Sequence, residues 1–444
     1  MDSRKTVSPA RSTVSLSGEA RQTIDMLIHS SAQLLTLAGG PQRGNTLGNL
    51  GLLPGGAVAI HMGKIVETGP STELLTRYTA AVQIDASGRV VMPGFVDPHT
   101  HFVWVGDRAQ EFERRLAGAS YLEILAAGGG IMSTVRQTRA AGTPMIVDES
   151  RPRMLRMLRH GTTTAEVKTG YGLELDTELR MLEAILILAE DEGPTLVPTF
   201  LGAHAVPAEF SGRSDAYTDL VFQEMLPRVK EWWIEQAASR PLPFVDVFCE
   251  EGAFNLDQSR RILERAAELG FPLKIHADEF AGLGGTRLAV ELGAVSADHL
   301  VHTPAEDIAA LGGSNTVAVA LPATPFGLGE SAYTPGRQIL EAGGTLALAS
   351  DLNPGTAWCE SMQFIIALAC RSMRLTPAEA IAAATVNAAA AVGLSDQVGS
   401  LEAGKAADLI VLDASDYHHL GYRFGTNLVS LVVKGGRQVS VAGG

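Results

Sequence analysis

His99 and His101 are the residues of this sequence best placed to do chemistry. A single residue separates them, and they come shortly after an apolar run at 90–96. Side chains two positions apart on a β-strand point to the same face, so a strand here would present both imidazoles side by side. Neutral imidazole is a common zinc ligand and also suits iron, so the pair is half of a metal site. On spacing alone, two histidines without a metal are the more frequent arrangement.

These histidines act as ligands only if a scaffold brings other ligands to them, and the middle of the chain predicts such a scaffold. Apolar runs alternate there with helical patterns. The runs are 95–97, 163–167, 196–201, 244–248, 273–275, 296–298, 316–320 and 345–349. Eight β–α repeats predict an α/β fold of the (β/α)8 TIM-barrel type, with chemistry at the C-terminal strand ends. An open doubly wound sheet is the alternative, although no Gly-x-Gly-x-x-Gly follows the first run.

Short strand-like runs broken by Gly-Gly and Pro-Gly turns occur at both ends of the chain. We predict that residues 25–90 and 396–444 form one small composite β-sandwich domain, and that residues 91–395 form the catalytic barrel. Residues 1–24 are polar and rich in Ser, Thr and Arg. A disordered tail is favoured there over a transit peptide, because Asp2 and Glu19 are acidic.

The composition argues against several classes of partner. A net charge of −14 disfavours nucleic acid and anionic membranes, which reward basic patches. No apolar stretch approaches the length that crosses a bilayer. Three cysteines, Cys249, Cys359 and Cys370, are far apart in the sequence and fit a reducing compartment, so a cytoplasmic protein is expected.

Further candidate ligands follow the other predicted strands. His276 follows the fifth run, His299 the sixth and Asp351 the eighth. Each alone would more often be a structural residue. Because all of them fall at the rim where a barrel carries its chemistry, their common position favours a metal site.

On these residues the chain resembles the amidohydrolase superfamily and, within it, the imidazolonepropionase family, over about residues 25–440. The superfamily pattern is the segment 93–101 followed in order by His276, His299 and Asp351. The segments that narrow the resemblance to the family are 111–116, 127–131, 166–173, 200–204, 276–279 and 350–356. The long polar N-terminus is the one clear departure.

The resemblance implies hydrolysis of the ring amide of 4-imidazolone-5-propanoate to N-formimino-L-glutamate, a step of histidine degradation, and a homodimer. Many relatives hold two metals bridged by a carboxylated lysine at the end of strand four, but segment 248–252 contains no lysine. Lys168, on strand two, is interpreted as solvated or ion-paired. We therefore expect one divalent or trivalent metal, zinc or iron. Its expected ligands are His99, His101, His276 and Asp351.

Three residues are expected to carry the protons and charges of the reaction. Asp351 accepts a proton from water, His299 stabilises the oxyanion, and Glu279 protonates the leaving nitrogen. Glu279 has an alternative role, which is to support the ligand His276.

The substrate's propionate requires a local cation, and Arg108 can supply a two-pronged contact. The resemblance assigns to the substrate Arg108, Tyr171, His204, Asn353, Gly355 and Thr356. From residue types alone, a solvated arginine, a tyrosine packed in a turn and a histidine acting as a fifth ligand stay open. The rival functions are another cyclic-amide hydrolase, an aminopurine or pyrimidine deaminase, and a barrel that binds without catalysing.

Overall fold

A computed structural model of the chain describes residues 21–118 and 129–439. Residues 1–20 of the predicted tail lie outside the described residues. Strands of the N-terminal part are β1 (Gln22–His29), β2 (Gln33–Leu35), β3 (Leu52–Leu53), β4 (Gly56–His61), β5 (Lys64–Pro70), β6 (Tyr78–Asp85) and β7 (Val90–Pro93). Because β1 begins at Gln22, residues 22–24 were wrongly assigned to the tail: Ile24 is buried against Leu27 and Tyr78.

The centre of the chain forms the predicted (β/α)8 barrel, and a strand is found at each of the eight predicted runs. The strands are β8 (Phe95–Asp97), β9 (Thr162–Lys168), β10 (Thr195–Ala203), β11 (Phe244–Cys249), β12 (Lys274–Ala277), β13 (Ser296–His299), β14 (Val317–Ala320) and β15 (Thr345–Leu348). They pair in chain order, and every neighbouring pair is parallel.

The first and last barrel strands meet just beyond their ends. Thr100 and Leu352 form a parallel bridge, and the amide of Asp351 donates to the carbonyl of His99 at 3.1 Å. The amide of His101 donates to the carbonyl of Leu352 at 2.9 Å. These bonds hold the His-x-His segment against the segment after β15.

Three strands follow the barrel, β16 (Leu409–Leu412), β17 (Val429–Lys434) and β18 (Arg437–Val439). Two sheets contain the terminal strands, one in the order β5-β4-β1-β6 and one in the order β18-β17-β16-β7-β2-β3. The second sheet joins both ends of the chain. It also contains 91–93, which the sequence prediction gave to the barrel. Val91 is buried with Val58 of the first sheet and Leu409 of the second, so one apolar core lies between them.

Helices connect the strands, and most of those in the barrel region pack against it, whereas Ser71–Arg77 packs on the first terminal sheet. They are Ser71–Arg77, Ala109–Leu116, Ile131–Ala140, Thr143–Arg159, Leu175–Leu188, Ser214–Leu220, Leu226–Gln236, Leu256–Glu268, Gly285–Leu292, Ala305–Gly312, Ala323–Leu328, Gly336–Glu341, Met362–Ser372, Pro377–Ala383, Val386–Ala391 and His418–Tyr422. Within the described ranges, no helix has both the length and the apolar character that crossing a membrane requires.

Candidate metal centre and active site

Four imidazoles and one carboxylate converge at the C-terminal end of the barrel. Nε2 of His101 lies 3.2 Å from Nε2 of His99 and 3.4 Å from Nε2 of His276. Oδ1 of Asp351 lies 3.5 Å from Nε2 of His99 and 3.6 Å from Nε2 of His101. Two overlapping sets have ligand atoms within 4.8 Å of one another: His99 with His101 and His276, and His99 with His299 and Asp351.

The arrangement of the ring nitrogens fits a cation. Nδ1 of His99 lies 2.7 Å from Oδ2 of Asp298 and donates to it, because a carboxylate only accepts. Nδ1 of His276 faces Oδ2 of Asp246 at 3.0 Å. In a neutral ring the bond to Asp298 leaves an Nε2 lone pair on His99. The ligand nitrogens of His99, His101 and His276 lie close enough together to share one cation, and carboxylates behind imidazoles are typical of metal sites.

Burial keeps these rings neutral. It is the largest cause that lowers the pKa of His99, His101 and His299 well below the usual value, and neighbouring positive charges add to it. Neutral imidazole is the form that binds a metal.

Backbone strain occurs at two of the clustered residues. His299 has φ +80° and Asp351 has φ +53°, in the left-handed region that residues other than glycine seldom occupy. Such positions cost about 1–3 kcal/mol each and cluster at functional sites. His299 is the last residue of β13, and Asp351 lies three residues after the end of β15.

A buried ammonium lies beneath the histidines. Nζ of Lys168 is 2.6 Å from Oε1 of Glu166, 2.7 Å from Oδ2 of Asp246 and 3.8 Å from Oδ2 of Asp298. All four side chains are fully buried. The lysine is therefore ion-paired rather than solvated. Burial opposes ionisation of Asp246, but its interactions with His276 and Lys168 outweigh it and hold its pKa below the usual range.

Glu279 and His299 form the side of the site away from Lys168. Oε2 of Glu279 lies 3.6 Å from Nε2 of His299. Burial, followed by the charges of Asp351 and Glu250, raises the pKa of Glu279 well above its usual range. Burial also raises the pKa of Asp351 to about 6, although the hydrogen bond from Thr324 acts to lower it. The raised pKa of Glu279 favours its protonated form.

Tyr171 and His204 line the next part of the wall. The ring of His204 stacks on His101, with centroids 4.9 Å apart, and the ring of Tyr171 lies 5.5 Å from that of His204. Nδ1 of His204 donates to the carbonyl of Gly170 at 3.0 Å, which leaves Nε2 as an acceptor. Burial lowers the pKa of His204 to about 3.

Arg108, Asn353, Gly355 and Thr356 are held by other protein groups. Nε of Arg108 donates to Glu111 at 2.9 Å. Oδ1 of Asn353 accepts from the amides of Gly355 and Thr356, each at 2.8 Å, and its Nδ2 donates to the carbonyl of Asp351. The side-chain amide group of Asn353 therefore shapes the loop that follows Asp351.

The carboxylates Glu166, Asp246 and Asp298 were not predicted from the sequence, whereas the ion-paired alternative for Lys168 agrees with the structure. A signal was present, since each charge lies within an apolar barrel strand, where an unpaired charge is expensive. Their pairing could not be read from the sequence, because Lys168 and Asp246 lie 78 positions apart on different strands.

Comparisons with known proteins agree with this architecture. The amidohydrolase family model matches residues 90–439. A relative from Herpetosiphon aurantiacus named imidazolonepropionase is 54% identical, over 94% of this chain and 97% of its own. One of the same name from Chloroflexus aggregans is 52% identical, over 94% and 98%.

Solved structures with the same fold are more distant. An adenosine deaminase from Xanthomonas campestris with bound zinc superposes with a TM-score of 0.70 at 19% identity, over 94% of this chain and 93% of its own. A guanine deaminase from E. coli has a TM-score of 0.69 at 15% identity, over 94% and 98%. These likenesses show the fold. With the family model and the close relatives, they lead to one conclusion: the chain belongs to the amidohydrolase family and, within it, to the imidazolonepropionases.

Proposed function

We propose that the protein hydrolyses the ring amide of 4-imidazolone-5-propanoate to N-formimino-L-glutamate in histidine degradation. The observation that carries this proposal is the intact convergence of His99, His101, His276 and Asp351 in a chain 54% identical to a relative named imidazolonepropionase. The barrel alone would support many reactions, so the substrate rests on the family and on the site.

The proposed metal ligands are His99, His101, His276 and Asp351, binding one zinc or iron. His299 is assigned outside the ligand set, because its Nε2 lies 3.6 Å from Oε2 of Glu279. A metal bound there supplies Lewis acidity, which polarises the ring carbonyl and acidifies the attacking water. The chain contributes the orientation of the rings, because Asp298 fixes His99 and Asp246 faces His276.

The protons move between two carboxyl groups with different pKa values. Asp351 takes the proton that the attacking water loses as the new C–O bond forms. His299, which is neutral, donates a hydrogen bond from its ring N–H to the oxygen of the former carbonyl. Glu279, whose raised pKa favours the protonated form, gives its proton to the ring nitrogen as the C–N bond breaks. The proton taken by Asp351 then restores Glu279, so the net change is the addition of one water.

The propionate is proposed to bind at Arg108, with Tyr171, His204, Asn353, Gly355 and Thr356 enclosing the remaining polar groups. Two arginines support an anionic substrate in a protein of net charge −14. Nη1 of Arg108 points toward Gly355, and Nη2 of Arg115 donates to the carbonyl of Gly355 at 3.1 Å. A neutral purine or pyrimidine would bring no negative charge to these two arginines.

We also propose that the protein is a homodimer and lies in the cytoplasm. The dimer is carried over from the family resemblance. The three cysteines are free thiols, which supports a reducing compartment. Light scattering of the purified protein tests the assembly, and a mass near twice 46.8 kDa is expected.

The test of function is turnover of freshly generated 4-imidazolone-5-propanoate, followed by loss of ring absorbance and identification of the product by mass spectrometry. We expect N-formimino-L-glutamate, and no deamination of adenosine or guanine under the same conditions. Metal-loaded protein that leaves the imidazolone intact and deaminates either purine compound would overturn the proposal.

A further inference from the structure

The arginine proposed to bind the propionate already holds a carboxylate of its own chain. Nε of Arg108 donates to Oε2 of Glu111 at 2.9 Å, and Nη2 donates to Oε1. The two side chains are only 14% and 11% exposed. A bidentate pair with little exposure fixes the plane of a guanidinium far better than an exposed single contact.

Glu111 is itself anchored by the backbone. Its Oε2 accepts from the amide of Gly130 at 2.8 Å, at the N-terminus of the helix Ile131–Ala140. Although burial opposes ionisation, the hydrogen bonds from Arg108 and Gly130 lower the pKa of Glu111, so it stays charged. The carboxylate thus links Arg108 to the start of a later helix in the same connection between β8 and β9.

This pairing determines which end of the guanidinium is available. The Nε–Nη2 edge of Arg108 is occupied by Glu111, and Nη1 lies on the opposite side. A Cβ added to Gly355 would be 2.5 Å from Nη1, so any larger residue there would require the guanidinium to move. Gly355 lies four residues after Asp351, in the loop that Asn353 holds together. The Nη1 end of Arg108 therefore lies against the loop that follows Asp351, a proposed metal ligand.

We propose that Glu111 is a positioning residue that sets specificity for a substrate carboxylate, by holding Arg108 with its Nη1 end toward Gly355. This inference rests on the proposed function, in which Arg108 binds the propionate. It assigns to Glu111 no contact with the substrate. The alternative is that Glu111 competes with the substrate for the arginine, which predicts the opposite change in KM.

The test is steady-state kinetics of Glu111→Gln and Glu111→Asp with 4-imidazolone-5-propanoate. In Glu111→Gln, loss of a charged hydrogen-bond partner should raise KM about tenfold or more and leave kcat within about twofold. Glu111→Asp keeps the charge and should recover part of the KM. The inhibition constant of a 5-ethyl imidazolone, which lacks the carboxylate, should not change in either variant. The matched control is Glu113→Gln, an exposed glutamate of the same helix, with wild-type KM expected.

Each other outcome counts against the inference. An unchanged KM in Glu111→Gln would show that Arg108 needs no positioning, and a lowered KM would show competition. An equal loss for the carboxylate and the carboxylate-free compound would show a general structural defect. If the wild-type protein does not turn over the imidazolone at all, the proposed function fails, and this result is separate from any effect of Glu111.

Discussion

Replacing Lys168 by methionine should destabilise the protein strongly and weaken its metal site. Methionine retains an unbranched apolar stem but removes the ammonium that lies 2.6 Å from Glu166 and 2.7 Å from Asp246. Removing one partner of a buried ion pair costs about 3–5 kcal/mol, because the remaining charge is left uncompensated. Here two carboxylates lose their direct partner and Asp298, at 3.8 Å, loses a neighbouring charge. We therefore expect the upper part of that range.

The assay is urea denaturation of the metal-free proteins, so that metal loss does not contribute to the difference. Lys64→Met is the matched control, since Lys64 is exposed on β5, and it should change the unfolding free energy by less than about 0.5 kcal/mol. A double-mutant cycle with Asp246→Asn should show coupling, because the two residues are in contact. Chelator competition should show metal affinity reduced about 10–100-fold in Lys168→Met, since Asp246 faces the ligand His276. A stability loss under about 1 kcal/mol with unchanged metal affinity would refute the reasoning.

Three further predictions test other parts of the structure. Arg153→Met should lower the unfolding free energy by about 2–4 kcal/mol in urea denaturation. The reason is that the guanidinium of Arg153 lies 3.6 Å over the ring of Trp104 and donates to the carbonyls of Phe102 and Trp104. A loss below about 0.5 kcal/mol would contradict this role. Glu279→Gln should lower kcat about 10²–10⁴-fold with little change in KM, since the amide cannot release a proton, and wild-type kcat would exclude Glu279 as the acid. Burial raises the pKa of Cys249 to about 11, so its thiol should stay protonated at pH 8. It should therefore react slowly with a disulfide reagent in the native protein and rapidly in urea. Equal rates in the two conditions would show that the thiol of Cys249 is accessible in the native protein.

The sequence predicted the parts of the site that depend on one strand and its end. His99 and His101 share a strand end, and His276, His299 and Asp351 each follow a recognisable apolar run. In a barrel the C-terminal ends of the strands lie together regardless of the sequences of the helices that connect them. The convergence of these side chains could therefore be predicted. The boundary errors at 22–24 and 91–93 have a common cause. Both segments pair with strands from distant parts of the chain, and local patterns do not record such pairing.

The contacts behind the site could not be foreseen in the same way. Asp298 reaches His99 across 199 positions of the chain, and its partner depends on strand register rather than on local sequence. Arg108 was expected to present its fork to the substrate, but whether a nearby glutamate holds it depends on the helix that begins at Ala109. Side-chain pairing of this kind is set by packing, so it becomes visible only in three dimensions.

The central claim is that one metal, held by three histidines and Asp351, makes this chain an imidazolone hydrolase. The most direct test is to strip the protein of metal, titrate zinc or iron(II) back and follow ring opening of 4-imidazolone-5-propanoate at each step. We predict that activity rises linearly and reaches its maximum at one metal per chain, and that Asp351→Asn gains no activity at any metal concentration. Full activity in the metal-free protein, or a maximum only at two metals per chain, would contradict the account.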